Sequence, residues 1–499
     1  MLAEPTTVWA NACRARIRRF MSKTFDYKGK LVNDPVDHEL GRLPIGRLLF
    51  KMSVPMVISM FMLALYNVVD SIFISRVSED ALSALSLAYP VQFLMVAINI
   101  GTNVGMTALI SRSLGEKNFD KANDYANHGL LLAIMYSVLF AILGFLFTKP
   151  FFYAMAKNEN IRREGINYLS IITIISFGFF IQTTFEKMMQ ATGKTVGSMI
   201  TQLVGAITNI ILDPIFIFGY FGIPAMGTRG AAIATVIGQI LGMFVGYTLN
   251  KTLNKDLDVK LILLNVRDKS KTALKSFFGF TTSEIKFDII KNIYKVGLPS
   301  IIMQAISSFM IFGLNTILIK YESAVAVLGV YYKLQSFIFM PLIGLNNGMV
   351  PIVSYNFGAH RKDRIYKVIR SALTAGLVIM LIGVTLLWTI PDKILGFLNA
   401  SPLMMSTGIH AFRVISLHFP LVAPNIILSS VMQATKKEIY SLIASIIRQI
   451  AILLPTAFIL SNAYGLRGVW FCFLLSEFIA FVIILSLYIK TRREQIETL

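Results

Sequence analysis

Residues 101–115 read GTNVGMTALISRSLG, and residues 344–358 read GLNNGMVPIVSYNFG. Three glycines, one asparagine, one methionine and one serine occupy the same places in both segments, at an offset of 243 residues. The same offset carries MMQATGK (188–194) onto VMQATKK (431–437). A nearly constant offset across well-separated segments indicates an internal repeat, so the sequence predicts two homologous halves.

Both halves consist largely of long apolar runs. The chain is 55% hydrophobic and only 15% charged, whereas soluble domains carry about 25% charged residues. Twelve charge-poor runs, each about as long as the roughly 20 residues that cross a bilayer, lie at 52–75, 81–111, 129–148, 166–185, 195–228, 230–250, 296–319, 323–352, 371–391, 412–435, 439–463 and 468–489. The sequence therefore predicts an all-α membrane protein with twelve transmembrane helices in two homologous six-helix lobes, and excludes a soluble protein.

The net charge of +20 would suggest a nucleic-acid partner on a soluble surface, but its placement argues against one. Basic residues concentrate before the first run, after the sixth, after the eighth and after the last. An excess of lysine and arginine marks the cytoplasmic side of a membrane. We therefore expect a multi-pass protein of the cell (inner) membrane with both termini cytoplasmic, although the basic loop 157–164 conflicts mildly with this topology.

The runs and loops together predict five segments. Residues 1–45 form a basic, polar N-terminal extension, 46–250 the first lobe with helices 1–6, and 251–290 a cytoplasmic inter-lobe loop. Residues 291–490 form the second lobe with helices 7–12, and 491–499 a cytoplasmic tail. Because each half has an even number of spans, both enter the membrane in the same orientation, as in transporters whose substrate binds between parallel repeats. One chain contains both lobes, so we expect a monomer in contact with membrane lipid.

Two acidic residues fall inside predicted helices of the first lobe. Asp70 lies in helix 1 and Asp213 in helix 5, where an ionised carboxylate costs at least about 2.5–3.5 kcal/mol. Tyr66 and Asn209 precede them by four residues, which places each pair on one helix face, and Thr235 in helix 6 offers another oxygen. If these groups converge, they form an oxygen-rich site for H⁺, or for Na⁺ at Asp70, Asp213 and Asn209. We expect no other cofactor.

The repeat provides an internal control for this interpretation. The corresponding places in the second lobe hold Leu314, Ile452, Thr456 and Phe473. A feature that the six-helix fold required would occur twice, whereas the acidic cluster occurs once. We therefore interpret it as functional and not structural.

Other polar residues inside the runs indicate less. Lys333 in helix 8 either faces a central cavity or, if helix 8 is bent, extends its side chain to the membrane surface. Gln335 in helix 8, together with Met188 and Met432, is a candidate lining residue of that cavity. Glu186 and Lys187 are interpreted as structural, Arg448 and Glu477 as a candidate ion pair, and His418 as a core histidine, while Arg413 has no evident role.

Five segments resemble the multidrug and toxic compound extrusion (MATE) family, and the resemblance extends over about residues 45–490. They are LYNVVDSIFIS (65–75), the glycine-rich end of helix 2, MQATGK (189–194), NIILDPIFIFG (209–219) and GTRGAAIAT (227–235). The resemblance implies a V-shaped antiporter of twelve helices that exports amphiphilic, often cationic drugs in exchange for H⁺ or Na⁺.

The resemblance also implies roles for particular residues. The cation site of the family falls at Asp70 and Asp213, with Tyr66, Asn209 and Thr235 around them, and the helix 1 proline whose bending is proposed to reshape the lobe falls at Pro55. One branch of the family places further carboxylates on helices 7 and 10. Ser307 and Val422 stand there in this chain, which favours coupling through the first lobe.

Three alternatives stay open at this point. A lipid-linked saccharide flippase of the same superfamily would share the lobes, but commonly has more helices and a basic cavity. A membrane-embedded enzyme would need metal-ligand or nucleophile motifs such as H-E-x-x-H or G-x-S-x-G, and neither occurs. A receptor or scaffold would transport no solute.

Overall fold

A computed structural model describes residues 38–259, 285–321, 324–397 and 402–499. Most of the predicted N-terminal extension and residues 260–284 of the predicted inter-lobe loop lie outside the described residues. Residues 39–499 form one compact unit, and its long helices follow the order of the apolar runs.

The first lobe contains six helical spans. They are α1 (Ile45–Ser75), α2 (Glu79–Gly115), α3 (Phe119–Met155), α4 (the pair Glu159–Ile174 and Phe177–Ala191), α5 (Thr195–Phe218) and α6 (Thr228–Leu253). Local chemistry sets several of these ends. The Ser78 hydroxyl accepts a hydrogen bond from the Ala81 amide at 3.0 Å and so caps α2. Gly219, with φ +81°, ends α5 in the left-handed conformation, nine residues before the end of the predicted run.

The second lobe repeats this order. Its spans are α7 (Phe287–Leu318), α8 (Ala324–Gly358), α9 (Lys362–Thr389), α10 (the pair Pro402–Ser416 and Phe419–Ala434), α11 (Glu438–Val469, with a π-helical segment Ile447–Leu453) and α12 (Phe471–Thr491). Short helices Glu39–Arg42 and Pro391–Phe397 and a terminal π-turn Arg492–Ile496 accompany them. α7 begins inside the predicted loop 251–290, because its first turns are polar.

The number of spans agrees with the prediction. Within the described ranges, ten helices are long and apolar enough to cross a membrane, and two bent pairs bring the total to twelve. The bends are 48° in α4 and 46° in α10, at equivalent places in the two lobes. Hydropathy does not detect them, because each break is only two residues long, Ile175–Ser176 and Leu417–His418, with apolar helix on both sides. The prediction of two six-helix lobes is confirmed.

The glycines of the repeated pattern hold the two lobes together. Gly105 of α2 lies so close to α7 that a Cβ atom there would come within 2.3 Å of the Ile293 carbonyl oxygen. Gly344 and Gly348 of α8 lie equally close to Val57 and Ser53 of α1. Only glycine permits backbones to approach this closely, so the repeat predicted from the sequence forms the contact between the lobes.

All of these contacts lie toward one end of the molecule. This basic end carries the loops with Lys117, Lys194, Arg361 and Lys436. Toward the other end, the same helix faces are open: on α1, Phe61 and Val68 share the face of Val57 and are 41% and 42% exposed. On α8, Gly329 shares the face of Gly344, and nothing lies within 4 Å of its Cβ position. We call the space between these diverging faces the cleft.

Arginines of the second lobe fasten the chain before α1 at the basic end. Arg364 donates through Nη2 to the Leu43 carbonyl at 2.8 Å and to the Leu40 carbonyl at 3.2 Å. Arg361 donates to the Gly41 carbonyl at 2.7 Å. Conversely, an arginine of the first lobe donates to the second lobe: Arg112 of α2 donates to the Ala434 carbonyl at 2.8 Å. Charged donors on backbone carbonyls are strong hydrogen bonds, so this end is closed by polar contacts as well as by packing.

Candidate functional site

The site begins with a close contact between α5 and α6. A Cβ atom on Gly238 would lie 2.6 Å from the Gly205 carbonyl oxygen, so the two backbones touch. One turn further from the basic end, this contact brings Asn209 and Thr235 together, and Asn209 Nδ2 donates to Thr235 Oγ1 at 3.1 Å. Thus two glycines position two polar side chains from different helices.

Asp213 extends this pair along α5. Asn209 Nδ2 also donates to Asp213 Oδ1 at 3.2 Å, as the spacing of four residues allows. Asp213 has no solvent exposure and Asn209 only 2%. A carboxylate this deeply buried is costly unless it is paired, protonated or bound to a cation, so this side chain needs a partner of positive charge.

α1 completes the site. Asp70 lies near enough to Asp213 for the two carboxylates to interact electrostatically, and Tyr66 interacts with both acids and with Thr235. Each of the five residues proposed from the sequence therefore lies in one cluster among α1, α5 and α6.

Three oxygens of this cluster have no hydrogen-bond partner among the described residues. They are Asp70 Oδ1, Asn209 Oδ1 and Asp213 Oδ2, and all three are buried. A buried acceptor without a donor costs about 1–3 kcal/mol. A proton or a hard cation would satisfy such oxygens. In the described ranges, no three His, Cys, Asp or Glu side chains lie close enough together to bind one metal ion. A metal ion at this cluster would therefore also need amide or hydroxyl oxygens as ligands.

Two further residues of the cluster escaped the sequence analysis. Tyr168 of α4 is buried and lies near Asp70 and Asp213. Its hydroxyl accepts a hydrogen bond from Gln92 Nε2 of α2 at 3.0 Å. Because Tyr168 stands near the start of an apolar run and a tyrosine there packs as readily as it binds, periodicity and composition do not distinguish it from a packing residue.

The chain also matches known proteins. The MatE family model matches it twice, over residues 55–215 and 299–459, which together make up more than half of the sequence. The chain belongs to the MatE family. It is accordingly a multi-pass membrane transporter of the multidrug-efflux family and not an enzyme.

Relatives of the MatE chain include two curated transporters. The multidrug export protein MepA of Staphylococcus aureus (strain NCTC 8325 / PS 47) is 26% identical over 462 residues, covering 91% of this chain and 96% of the relative. An FAD transporter of Shewanella oneidensis is 26% identical over 442 residues, covering 86% and 91%. A multidrug-resistance MATE transporter solved in an outward-facing conformation has a TM-score of 0.81 at 23% identity, covering 92% and 98%.

The second lobe of this MatE protein has a different interior. Leu314 and Phe473 are buried where the first lobe holds acids and hydroxyls. Nearby, Arg448 Nη1 lies 3.0 Å from Glu477 Oε1, so the predicted ion pair is present. His418 is buried and its ring stacks on Phe473 at a centroid distance of 5.8 Å, as expected for a core histidine.

At the two places in the second lobe where the resemblance implies carboxylates for one branch of the family, this chain has uncharged residues. Ser307 of α7 donates to Gln449 Oε1 at 3.0 Å, and Val422 of α10 is buried. In the first lobe, Gln182 donates to Glu186 at 3.0 Å and Lys187 donates to Gln190 at 2.8 Å, which agrees with structural roles.

The predicted cavity residues divide into two groups. Lys333 is exposed and Gln335 is half-buried on α8, so both are accessible. Met188 and Met432 are completely buried at the basic end of α4 and α10, so the prediction that they line an open cavity is wrong for this conformation. The repeat matched them because they share a packing position, and not because they face a ligand.

Pro55 lies within α1 at the level where α1 contacts α8. Proline has no amide hydrogen, so the Lys51 carbonyl loses its helical donor. Thr195 of α5 replaces that donor, since its hydroxyl points to the Lys51 oxygen at 3.4 Å. α1 nevertheless continues from Ile45 to Ser75, and Pro55 lies where a bend in α1 would change both the lobe contact and the contact with α5.

Proposed function

We propose that this MatE transporter is a secondary active antiporter. It exports amphiphilic compounds, cationic drugs among them, in exchange for H⁺ or Na⁺. The observation that carries the proposal is the set of three unpartnered buried oxygens on Asp70, Asn209 and Asp213. They lie in one lobe only, behind the wall of a cleft that is closed at the basic end and open at the other.

The basic end is assigned to the cytoplasm on the positive-inside rule, which makes the described conformation outward-facing. In this state a cation from outside reaches Asp70 and Asp213, neutralises the repulsion between them and satisfies their free oxygens. We infer that α1 responds, because Asp70 and Pro55 both lie on it. A change in α1 at Pro55 alters the contact with Gly344 and Gly348 that closes the basic end.

The exchange has a simple energetic consequence. One elementary charge crossing 100 mV is worth about 2.3 kcal/mol. Exchange of one H⁺ for one monocationic drug moves no net charge, so the membrane potential contributes nothing and a gradient of one pH unit supports about tenfold accumulation. A neutral or zwitterionic compound would gain the voltage contribution in addition.

The test is efflux of ethidium from cells that lack their own drug pumps. Wild-type protein, Asp70→Asn and Asp213→Asn are compared at equal expression, with Glu186→Gln as a matched control. Glu186 is a buried acid of the same lobe that already holds a hydrogen bond from Gln182. The proposal expects rapid efflux by wild type and by Glu186→Gln, and loss of efflux in both aspartate variants.

Either of two results would overturn it. Efflux retained in both aspartate variants would move the coupling away from the first-lobe acids. No efflux by the wild-type protein would leave drug export unsupported and favour the flippase alternative, which loss of cell-envelope synthesis on deletion would then support.

A further inference from the structure

Lys333 belongs to the face of α8 that turns toward the first lobe. Eleven residues separate it from Gly344, which is about three turns of an α-helix. Gly344 lies against Val57 of α1, so Lys333 points in the same direction from a level further from the basic end. Tyr331, two residues earlier, points the opposite way and packs on Phe412 and Phe473 inside the second lobe.

This face is buried at one level and open at another. Around Gly344 it is covered by α1, whereas Gly329, Lys333 and Phe337 are exposed. Lys333 follows the first residue of α8, Ala324, by nine residues, or about 13 Å along the helix axis. A lysine side chain is too short to cover that distance to the end of the helix. Because it shares the face of Gly344, which meets the first lobe, we place Lys333 on the wall of the cleft.

Lys333 is also the lone charge on the cleft walls. Between the helix ends, the diverging parts of α1 and α8 (residues 58–74 and 325–343) contain two charged residues, Asp70 and Lys333. Asp70 follows Val57 by thirteen residues, which turns it away from the cleft and toward Asp213. Among the described residues no carboxylate pairs with Lys333.

The repeat again supplies a control. The offset of 243 residues carries Lys333 onto Pro90 of α2, so the fold does not require a cation at this place. A lysine inside a membrane protein is costly unless it is paired or reaches water. Its position on an open wall, without an acidic partner, indicates that its partner comes from outside the chain.

We propose that Lys333 recognises the acidic group of an amphiphilic substrate, a carboxylate or a phosphate. The proposal rests on the transport function above and specifies its substrate class. Phe61 of α1 and Phe337 of α8 are exposed on the facing walls and accept the apolar part of the ligand, while the ammonium group of Lys333 binds its anionic end. Zwitterionic and anionic amphiphiles are then bound in preference to simple cations of the same shape.

The test compares two dyes that differ at one group. Rhodamine B carries a free carboxylate, and rhodamine B ethyl ester lacks that charge. Binding of each dye to the purified full-length protein in lipid nanodiscs is measured by fluorescence anisotropy. Because an ion pair open to water is weak, the expected preference of the wild-type protein for the acid is about fivefold.

Three variants identify the residue responsible. Lys333→Met removes the charge at similar length and should abolish the preference, whereas Lys333→Arg should keep it. Lys320→Met removes a lysine near the end of α7 whose side chain already contacts Asn462, and should leave the preference unchanged. Equal binding of acid and ester to the wild-type protein, or a preference that survives in Lys333→Met, would overturn the proposal.

Its failure is distinguishable from failure of the transport function. Ethidium has no acidic group, so its efflux by the wild-type protein and by Asp213→Asn tests antiport independently of Lys333. A preference for the acid that depends on Lys333 would support the proposal even if ethidium were not exported.

Discussion

Replacement of Gly344 by alanine should weaken the closure of the basic end. The new Cβ atom would lie 2.7 Å from the backbone nitrogen of Val57 and 2.8 Å from its Cα atom, whereas comfortable contacts between such atoms are about 3.5–4.0 Å. Both neighbours are backbone atoms, so α1 and α8 must move apart. Overpacking of this kind costs about 1–3 kcal/mol.

That cost applies only while the two helices touch. The gain in helix propensity from glycine to alanine, about 1 kcal/mol, is the same whether the basic end is closed or open. It therefore does not change the ratio of closed to open conformations. The population of conformations closed at the basic end should therefore fall by about fivefold to a hundredfold relative to the alternatives. Gly329→Ala is the matched control, since it lies on the same face of the same helix with nothing within 4 Å.

The assay is double electron–electron resonance between spin labels at Tyr220 and Lys320, beyond the open ends of α5 and α7. The labels are attached in a background in which Cys13 and Cys472 are replaced. Gly344→Ala should add a population with shorter distances as the lobes close over the cleft, and Gly329→Ala should resemble the wild type. Identical distributions in all three proteins would refute the idea that this glycine contact holds the outward-facing conformation.

Three further outcomes are expected. Arg448→Met should lower the free energy of unfolding by about 2 kcal/mol, and with it the melting temperature, because Glu477 would be left buried without its partner. Joint replacement of Arg448 and Glu477 by apolar side chains should restore the melting temperature. Equal melting temperatures of the single and double variants would contradict this. Arg364→Ala should raise amide hydrogen exchange at residues 39–43 about tenfold or more, since two backbone carbonyls there lose a charged donor, and unchanged exchange would contradict the role given to Arg364. Export of a neutral compound should rise with membrane potential more steeply than export of a monocation, and equal voltage dependence would exclude a fixed one-for-one exchange.

Much of the architecture was predictable because the bilayer imposes long apolar spans that composition reveals directly. The repeat then gave the number of lobes, and spacing of four residues paired Asn209 with Asp213, which the structure joins by a hydrogen bond. These features depend on local pattern and on a comparison of the chain with itself. Both are visible in a single sequence.

Other features depend on contacts between distant helices, which one sequence does not record. The repeated glycines were recognised as a motif, but their place between the lobes follows from the approach of α1 to α8 and of α2 to α7. Tyr168 joins the acidic cluster because the first segment of α4 packs against α2 and α6, and Met188 and Met432 are buried through similar contacts between helices. The face of Lys333 was undecided until Gly344 showed which side of α8 meets the first lobe.

The most direct test of coupling through the first-lobe acids uses purified protein in liposomes with no initial ion gradient. A gradient of ethidium is imposed, and the opposite movement of H⁺ or Na⁺ is followed with an enclosed pH dye and with ²²Na⁺. Wild-type protein and Glu186→Gln should move one of the two cations against the ethidium flux, and Asp213→Asn should move neither. A cation flux of the same size through Asp213→Asn, or ethidium transport by the wild type with no cation flux at all, would contradict coupling at Asp70 and Asp213.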